Sequence, residues 1–211
     1  MARKESAFYA ISKRFFDICV GSVGSVFALL VLLGVKIIYL VDKDNDRIIL
    51  VQDRIGEGGQ LFKLYKIRTM VPKAQEMLST FLSENPHYAA EYEKNKKLEN
   101  DPRITNMGKK LRKFSIDEFP QFFNVVKGDM SIIGNRPYLP SERDDMGEDC
   151  DIITNAKPGI ISYWAINGRN DVDFETRLEL EKYYSLHKSL LLDLRIGFSA
   201  VSVVLKAKGA K

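Results

Sequence analysis

The sequence has no proline before Pro72, and it has only two cysteines, two histidines and one tryptophan among 211 residues. Cys19 lies in an apolar run and Cys150 in an acidic stretch, so we expect no disulfide framework and a reducing compartment. His87 and His187 are far apart, with no paired ligands nearby, which argues against a zinc site. Carboxylates, lysines and arginines therefore remain as the candidates for chemistry.

Several familiar motifs are also absent. The chain has no G-x-x-x-x-G-K-S/T loop and no G-x-S-x-G elbow, and the "GEGG" at 56–59 lacks the spacing of a dinucleotide-binding loop. Apolar residues make up 45% and charged residues 28%, which is typical of a folded protein and argues against global disorder. The length of 211 residues suits one domain with a substantial core.

The charge balance is mildly basic, with 32 basic and 28 acidic residues and a net charge of +4. This excess permits a nucleotide, a nucleic acid or a lipid surface as partner but demands none of them. The run "KKLRK" at 109–113 could serve a nucleic-acid-binding module. Because the net charge is modest and the N-terminus is long and apolar, we expect no nucleic-acid partner.

The N-terminus holds the long hydrophobic run of the sequence. Residues 18–35 contain no charge and reach the lower end of a membrane-spanning length, about 17–25 residues. A cleaved signal peptide fits poorly, because Lys36 and a further apolar stretch follow in place of a small-residue cleavage site. The run favours membrane insertion, with Lys13 and Arg14 on the cytoplasmic side, and a buried core helix is the alternative. Hydropathy alone leaves open whether the segment crosses or turns back.

The rest of the chain predicts an α+β fold rich in helix. Alternating segments at 48–52 and 61–69 predict two short strands joined by a glycine-rich turn. Residues 73–99 predict a charged helical segment, broken near Asn85-Pro86. Residues 174–207 have apolar positions at helical spacing and predict a mostly helical end.

Two adjacent carboxylates, Asp117 and Glu118, lie at the predicted start of an apolar helix in "FSIDEFPQFFNVVKGDMSIIGNRP". Ser115 and Glu118 have the spacing of a capping box, which would make Glu118 a cap. Alternatively Asp117 is itself the N-cap, and Pro120 falls within the first turn, where proline is tolerated.

The surroundings of the acids indicate chemistry on phosphate. Basic residues at 109–113 precede them, and Arg136 and Arg169 follow in irregular segments, where a guanidinium can clamp a phosphate. A carboxylate at a helix N-terminus stays ionised, as a carboxylate nucleophile toward phosphorus must. The second carboxylate could hold a divalent cation that bridges phosphate oxygens.

The motifs then match a known family. The stretches "KRFFD", "FKLYKIRTM", "NDPRIT", "SIDEFPQFFNVVKGDMSIIGNRP", "KPGIISYWAINGRND" and "YYSLHKSLLLDLRI" occur in this order. In this the chain resembles the bacterial sugar transferases, the monotopic polyprenyl-phosphate phosphoglycosyl transferases also called undecaprenyl-phosphate hexose-phosphate transferases. The resemblance runs from about residue 11 to 207 and rests on half a dozen spaced motifs.

The resemblance implies an enzyme on the cytoplasmic face of the bacterial inner membrane. Residues 1–41 would form a re-entrant membrane helix in contact with lipid, and residues 42–211 a catalytic domain with a small β-hairpin and interfacial helices. The enzyme would move a sugar-1-phosphate from a UDP-sugar to undecaprenyl phosphate and release UMP. This reaction would begin the assembly of a lipid-linked surface glycan.

The resemblance also implies roles for particular residues. Asp117 would attack the β-phosphate to form a phosphosugar-aspartyl intermediate, and Glu118, with Asp117 beside it, would hold Mg²⁺. The residues in family motifs that would contact phosphate or nucleotide are Lys66, Arg68, Arg112, Arg136 and Arg169.

The sequence departs from the family pattern at several places. The common Ser-Pro of the membrane helix is missing near Leu29-Leu30, so a full crossing stays open. Asn135 replaces the first proline of G-P-R-P, which predicts a more relaxed loop, while Ala165 and Lys157 replace a frequent Gln and Arg. A non-catalytic membrane adaptor with the same fold is the alternative function. The sequence also leaves a homo-oligomer open.

Overall fold

The computed structural model describes residues 6–41, 46–95, 98–168 and 172–205, and helices dominate it. The α-helices are α1 (Ala7–Val41), α2 (Ala74–Glu84), α3 (Pro86–Asn95), α4 (Asn106–Lys113), α5 (Gln121–Lys127), α6 (Arg143–Met146), α7 (Asp149–Thr154), α8 (Tyr163–Ile166), α9 (Phe174–His187) and α10 (Leu190–Leu205). The strands are β1 (Ile49–Ile55), β2 (Leu61–Ile67), β3 (Ser131–Ile133) and β4 (Gly159–Ile161). The prediction of a helix-rich chain with small sheets is confirmed.

The four strands form two separate sheets. β1 and β2 pair antiparallel, as the alternating sequence predicts, and the turn between them places Gly58 and Gly59 at φ of 66° and 76°, where glycine is favoured. β3 and β4 pair in parallel, which the sequence analysis did not predict. Gly159 is required there, because a side-chain carbon on it would overlap the backbone of Gly134.

The first part of α1 is fixed to the domain by buried polar contacts. Asp17 is buried, and it accepts hydrogen bonds from the Ser131 hydroxyl at 2.9 Å and the Ile132 N–H at 2.8 Å. Asp193 of α10 accepts from Tyr9 at 2.9 Å and from the Lys13 ammonium at 2.7 Å. These bonds explain why α1 begins well before the uncharged run.

The middle and the end of α1 also contact the domain. Gly21 and Gly24 bring α1 against Val125 and Phe122 of α5. Farther along, the Tyr39 hydroxyl donates to the carbonyl oxygen of Arg68, which follows β2, at 2.6 Å. α1 is therefore one helix of 35 residues whose two ends contact the same domain.

The outer face of α1 is apolar and exposed. α1 is long and apolar enough to cross a membrane, and most of its apolar stretch is not buried. The exposed side chains include Val23, Val26, Phe27, Leu29, Leu30 and Leu33. The alternative of a buried core helix does not fit this exposure.

Two clusters of buried side chains lie on either side of the segment that follows β3. One cluster contains Leu64, Val125, Met130, Ile132, Ile133, Ala156, Tyr184 and Ile196. The other contains Ile55, Tyr138, Met146, Cys150, Ile153, Phe174 and Leu178. The segment from Ile133 to Tyr138 runs from one cluster to the other, so both of its ends are fixed by packing.

The two long helical predictions are both confirmed. The charged segment from residue 73 breaks between α2 and α3 at Asn85, as predicted, because proline starts the next helix. A buried ion pair between Arg103 and Asp101, at 2.6 Å, lies where the chain leaves this segment. The prediction of a mostly helical C-terminal part is confirmed; α9 ends at His187, Lys188 has an extended backbone (φ −51°, ψ 131°), and α10 begins at Leu190.

The α1–α5 contact predicts an asymmetry between two glycines of the same helix. Gly24→Ala should lower the free energy of unfolding by about 1–3 kcal/mol, because the added methyl overlaps the Phe122 ring. Gly34→Ala is the matched control and should be neutral or stabilising by up to about 1 kcal/mol, because nothing lies within 4 Å and alanine favours helix. Thermal unfolding of the detergent-solubilised chain measures both. Equal effects would contradict the close α1–α5 contact.

Candidate active site

Asp117 and Glu118 lie in a short 3-10 turn, Ile116–Glu118, directly before α5. Neither predicted cap is present: Ser115 has a left-handed backbone (φ 53°) and makes no side-chain cap bond, and the residue at the cap of α5 is Pro120. The physical reasons are that an N-cap residue needs an extended backbone, which Ser115 lacks, and that Pro120 has no N–H for an Asp117 cap to bind. The acids therefore sit on a turn ahead of the helix, and Asp117 is buried.

The turn faces a large open concavity of about 2200 Å³. Its lining includes both acids, most of the predicted cations and Arg54, which was not predicted: Arg54, Lys66, Arg68, Arg112, Asp117, Glu118 and Arg136. Arg169, which was also predicted, lies outside the described residues. Six of the seven predicted site residues thus share one surface.

Lys66 lies in the electric field of both acids. Its pKa is lowered to about 8: burial is the largest cause, the charges of Arg54 and Arg112 also lower it, and Asp117 and Glu118 oppose the shift. Within the described ranges, the Lys66 ammonium makes no hydrogen bond or ion pair with another residue. A half-buried ammonium of this kind is suited to an anionic ligand, which would further favour its charged form.

Arg112 and Arg68 differ in how far their guanidinium groups are already engaged. Arg112 donates from Nε to the Thr69 hydroxyl at 2.9 Å, and burial lowers its pKa while Asp117 is the main charge that raises it. Arg68 is buried and donates to the carbonyl oxygens of Arg47 at 2.9 Å and Met70 at 3.3 Å. Arg112 is thus coupled to the acid turn, whereas Arg68 mainly ties the end of β2 to neighbouring backbone.

Arg54 is a cation of the site that was not predicted from the sequence. It donates to the carbonyl oxygen of Pro137 at 2.9 Å, and its buried Nε has no partner among the described residues. Burial and Arg136 lower its pKa to about 10, while Glu142 and Glu118 raise it. The alternation of side chains along β1 could have indicated it. Leu50 of β1 pairs with Lys66, so their side chains share one face of the hairpin, and Arg54, four residues after Leu50, lies on that same face.

Arg136 is half-buried and lies in the segment after β3. Its guanidinium lies 5.7 Å from the Tyr138 ring and 5.8 Å from the Trp164 ring, and 3.9 Å from the Glu142 carboxylate. Its backbone N–H donates to Glu181, a fully buried acid whose pKa burial raises to about 7 against the opposing effect of that hydrogen bond. No local sequence pattern marks Trp164 or Glu181, because their placement depends on how α8 and α9 pack.

Asn135 does not leave this segment relaxed. It is 2% exposed, and its amide nitrogen donates to the Ser185 hydroxyl at 2.6 Å and the Ile153 carbonyl at 2.8 Å. Of the other departures, Ala165 lines the concavity, and Lys157 lies 3.7 Å from Glu57. Where the family commonly has the rigid ring of a proline, this chain therefore constrains the segment through the hydrogen bonds of Asn135.

The residues present fit a magnesium ion bound jointly with a substrate. The described residues contain no group of three or more His, Cys, Asp or Glu side chains that could hold a metal. Mg²⁺ typically takes one or two carboxylates and completes its shell with water and substrate phosphates. Asp117 and Glu118 supply two such carboxylates beside cations suited to phosphate.

The effect of the Asp117 charge on the pKa of Lys66 can be measured directly. Lys66 should titrate near pH 8, and Asp117→Asn should lower that pKa, because it removes a negative charge that favours the ammonium. NMR of ¹³C-methylated lysines reports the pKa values. Asp53→Asn is the matched control, since Asp53 is exposed and pairs with Lys63 at 2.7 Å. A Lys66 pKa near 10.5, or one insensitive to Asp117→Asn, would contradict this geometry.

Comparison with known proteins agrees with the motifs. Undecaprenyl-phosphate galactose phosphotransferase of Salmonella typhimurium is 42% identical over 212 residues, which cover 100% of this chain and 43% of the relative. UDP-galactose-lipid carrier transferase of Erwinia amylovora is 40% identical, over 100% of this chain and 43% of the relative. Exopolysaccharide production protein ExoY of Rhizobium meliloti is 36% identical, over 95% of this chain and 88% of the relative.

The chain spans less than half the length of the first two of these relatives. The model of the family described as "Bacterial sugar transferase" matches residues 8–207, which is nearly the whole chain. This match includes the acid turn, β2 and the segment of Arg136. The chain belongs to the bacterial sugar transferase family.

Proposed function

We propose that this chain transfers a sugar-1-phosphate from a UDP-sugar to undecaprenyl phosphate and releases UMP. The observation that carries the proposal is the pair Asp117 and Glu118 on one turn, inside a concavity lined by lysine and arginine side chains. The names of the two relatives at 42% and 40% identity support the same substrate classes. The reaction would begin a lipid-linked surface glycan.

The first step uses the Asp117 carboxylate as nucleophile. An oxygen of Asp117 forms a bond to the β-phosphorus, and the bond from that phosphorus to the bridging oxygen breaks. The electron pair leaves on UMP, and the sugar-phosphate stays on Asp117 as an acyl phosphate. No proton has to be removed from an ionised carboxylate, so the site needs no histidine base.

The second step returns the enzyme to its starting state. An oxygen of undecaprenyl phosphate attacks the same phosphorus, and the bond to Asp117 breaks with its electron pair on the carboxylate. The concavity is wide and open and is lined by residues from several elements, which supports a site that admits both substrates in turn.

The cations offset the charge that the phosphates bring. Lys66, Arg112, Arg54 and Arg136 line the same surface as the acids, so they can contact the diphosphate and the transferring phosphoryl group. Asp117 and Glu118 would hold Mg²⁺, which when bound supplies Lewis-acid stabilisation of phosphate oxygens. Arg112 lies close enough to Asp117 for each charge to affect the other.

We further propose that α1 holds the domain on the cytoplasmic face of the inner membrane. Its exposed apolar face would enter the lipid, with Leu191, Leu194 and Phe198 of α10 as further exposed apolar side chains. Both ends of α1 contact one domain, through Tyr9 and Tyr39. This supports a helix that starts and finishes on the same side of the membrane over one that crosses it.

The transferase proposal predicts lipid-dependent UMP release that requires Asp117. With a panel of UDP-sugars, undecaprenyl phosphate and Mg²⁺, the wild type should turn over one or a few sugars. Asp117→Asn should reduce kcat by at least about 10³-fold, because the amide is a poor nucleophile. Asp53→Asn, which changes an exposed side chain of β1, should keep wild-type activity.

The outcomes of this assay separate the alternatives. No UMP release from folded wild type with any sugar would favour a non-catalytic adaptor. Undiminished release from Asp117→Asn would keep the enzyme and remove Asp117 as the nucleophile.

The membrane proposal predicts that charge on the outer face of α1 weakens lipid association. The double variant Leu30→Lys and Leu33→Lys, at positions 62% and 61% exposed, should move the chain from the membrane pellet to the soluble fraction. Each lysine at the depth of a membrane helix centre costs about 2.5–3.5 kcal/mol. Leu61→Lys, 58% exposed on β2, is the control and should stay in the pellet. A folded double variant that sediments like wild type would count against α1 as the lipid contact.

A further inference from the structure

Arg136 lies in an irregular segment whose backbone is bonded residue by residue to the elements around it. Asn135 accepts a hydrogen bond from the Gly159 N–H at 2.8 Å, and Pro137 accepts one from Arg54 at 2.9 Å. The segment belongs to no helix, and Asn135 makes only an isolated bridge with Pro158. The direction of the Arg136 side chain therefore depends on these individual bonds.

One face of α9 supplies the two bonds that lie nearest to Arg136. Glu181 and Ser185 are four residues apart, so they project from the same face of the helix. Glu181 accepts the Arg136 backbone N–H at 2.9 Å, and the Ser185 hydroxyl accepts from the Asn135 amide at 2.6 Å. Ser185 in turn donates to the Ile153 carbonyl at 3.2 Å, the acceptor that Asn135 also uses.

We propose that Ser185, through Asn135, is a positioning residue that sets Arg136 for the diphosphate of the nucleotide substrate. The inference rests on the proposed function for the identity of that substrate. Ser185 and Asn135 are 7% and 2% exposed, so neither contacts substrate and both act through Arg136. Glu181 fixes the backbone of Arg136, while the neutral pair of Ser185 and Asn135 fixes the residue before it.

The Asn135 side chain has the features of a constraint on the backbone. Its amide nitrogen faces two acceptors, whereas its Oδ1 is buried without a partner among the described residues. A buried amide oxygen without a partner is unfavourable. The stabilising part of this side chain is therefore its amide nitrogen, which bonds to Ser185 and to Ile153. A proline at 135 would remove that oxygen and would fix φ through its ring instead.

Trp164, the one tryptophan of the chain, allows binding to be measured without turnover. Its ring lies 5.8 Å from the Arg136 guanidinium, so its fluorescence should report the arrival of a phosphate at Arg136. UDP is the probe, titrated with Mg²⁺ into the full chain in detergent. UDP-sugar turnover gives KM and kcat in parallel.

Ser185→Ala should raise the Kd for UDP and the KM for the UDP-sugar by about fivefold to tenfold, the effect expected for one lost hydrogen bond, with kcat within about twofold. In an Arg136→Ala background the same change should leave the Kd unaltered, because Ser185 acts through Arg136. Asn135→Pro should rescue Ser185→Ala, bringing its Kd to within about twofold of wild type. Ser131→Ala is the matched control: Ser131 is a buried serine bonded to Asp17 at 2.9 Å, and its loss should lower thermal stability without changing the Kd.

Several results would overturn the inference. Ser185→Ala could lower the unfolding temperature without changing the Kd, which would make Ser185 purely structural. It could change the Kd equally with and without Arg136, which would give it another route to the ligand. If Asn135→Pro does not fold, the double variant Asn135→Ala and Ser185→Ala replaces it. Additive effects of the two changes on the Kd would contradict the claim that Ser185 acts through Asn135.

The two proposals fail separately. Wild type that binds UDP but releases no UMP would remove the transferase and leave the positioning of Arg136 to be judged by the Kd values. Wild type that binds no UDP would overturn the positioning inference, since Arg136 would then have no diphosphate to meet.

Discussion

The position of the acid turn depends on the close contact between α1 and α5. Gly21 and Gly24 let the two helices approach, and Arg14 of α1 donates to the last carbonyls of α5, Val125 at 2.7 Å and Val126 at 2.8 Å. A cation at a helix C-terminus satisfies carbonyls that have no partner within the helix. Because α5 begins three residues after Glu118, whatever fixes α5 also fixes the acids. The helix proposed to meet lipid and the proposed nucleophile are thus parts of one packed unit.

The cations of the concavity lower stability in the absence of an anion. Burial favours the neutral form of Lys66, whose pKa of about 8 in the folded chain lies below its ordinary 10.5. Between these pH values the unfolded chain binds the additional proton, so the contribution of Lys66 to stability rises with pH there and is least favourable below pH 8. The pKa of Arg54 is likewise lowered, to about 10, so its burial as a charged group also opposes folding below that pH. A diphosphate would offset these costs, so the site is built for a ligand that brings several negative charges.

Local patterns were enough to predict the elements whose stability is local. Strand alternation gave the hairpin of β1 and β2, and Pro86 gave the break between α2 and α3. The parallel pair of β3 and β4 could not be predicted this way, because strands of three residues exist only through contacts with distant segments. The prediction of a cap at the acid turn is wrong for a related reason: the capping pattern at Ser115 is a local preference, and the left-handed backbone of Ser115 in the fold excludes that cap. Arg54 and Glu181 were missed because burial of a charge is decided by tertiary packing.

The arginines of the concavity show how such a site can be held in place before substrate arrives. A guanidinium has five donors, and Arg54 uses one for the Pro137 carbonyl, which belongs to the residue after Arg136. One cation therefore fixes the backbone that carries the next. The positive charges of Arg54 and Arg136 repel each other. Glu142 opposes that repulsion, because its charge favours the charged form of Arg54 and its carboxylate lies 3.9 Å from Arg136. Donors that are already fixed lose little conformational entropy when the phosphate binds. Preorganisation of these arginines during folding therefore favours both substrate affinity and stabilisation of the transition state.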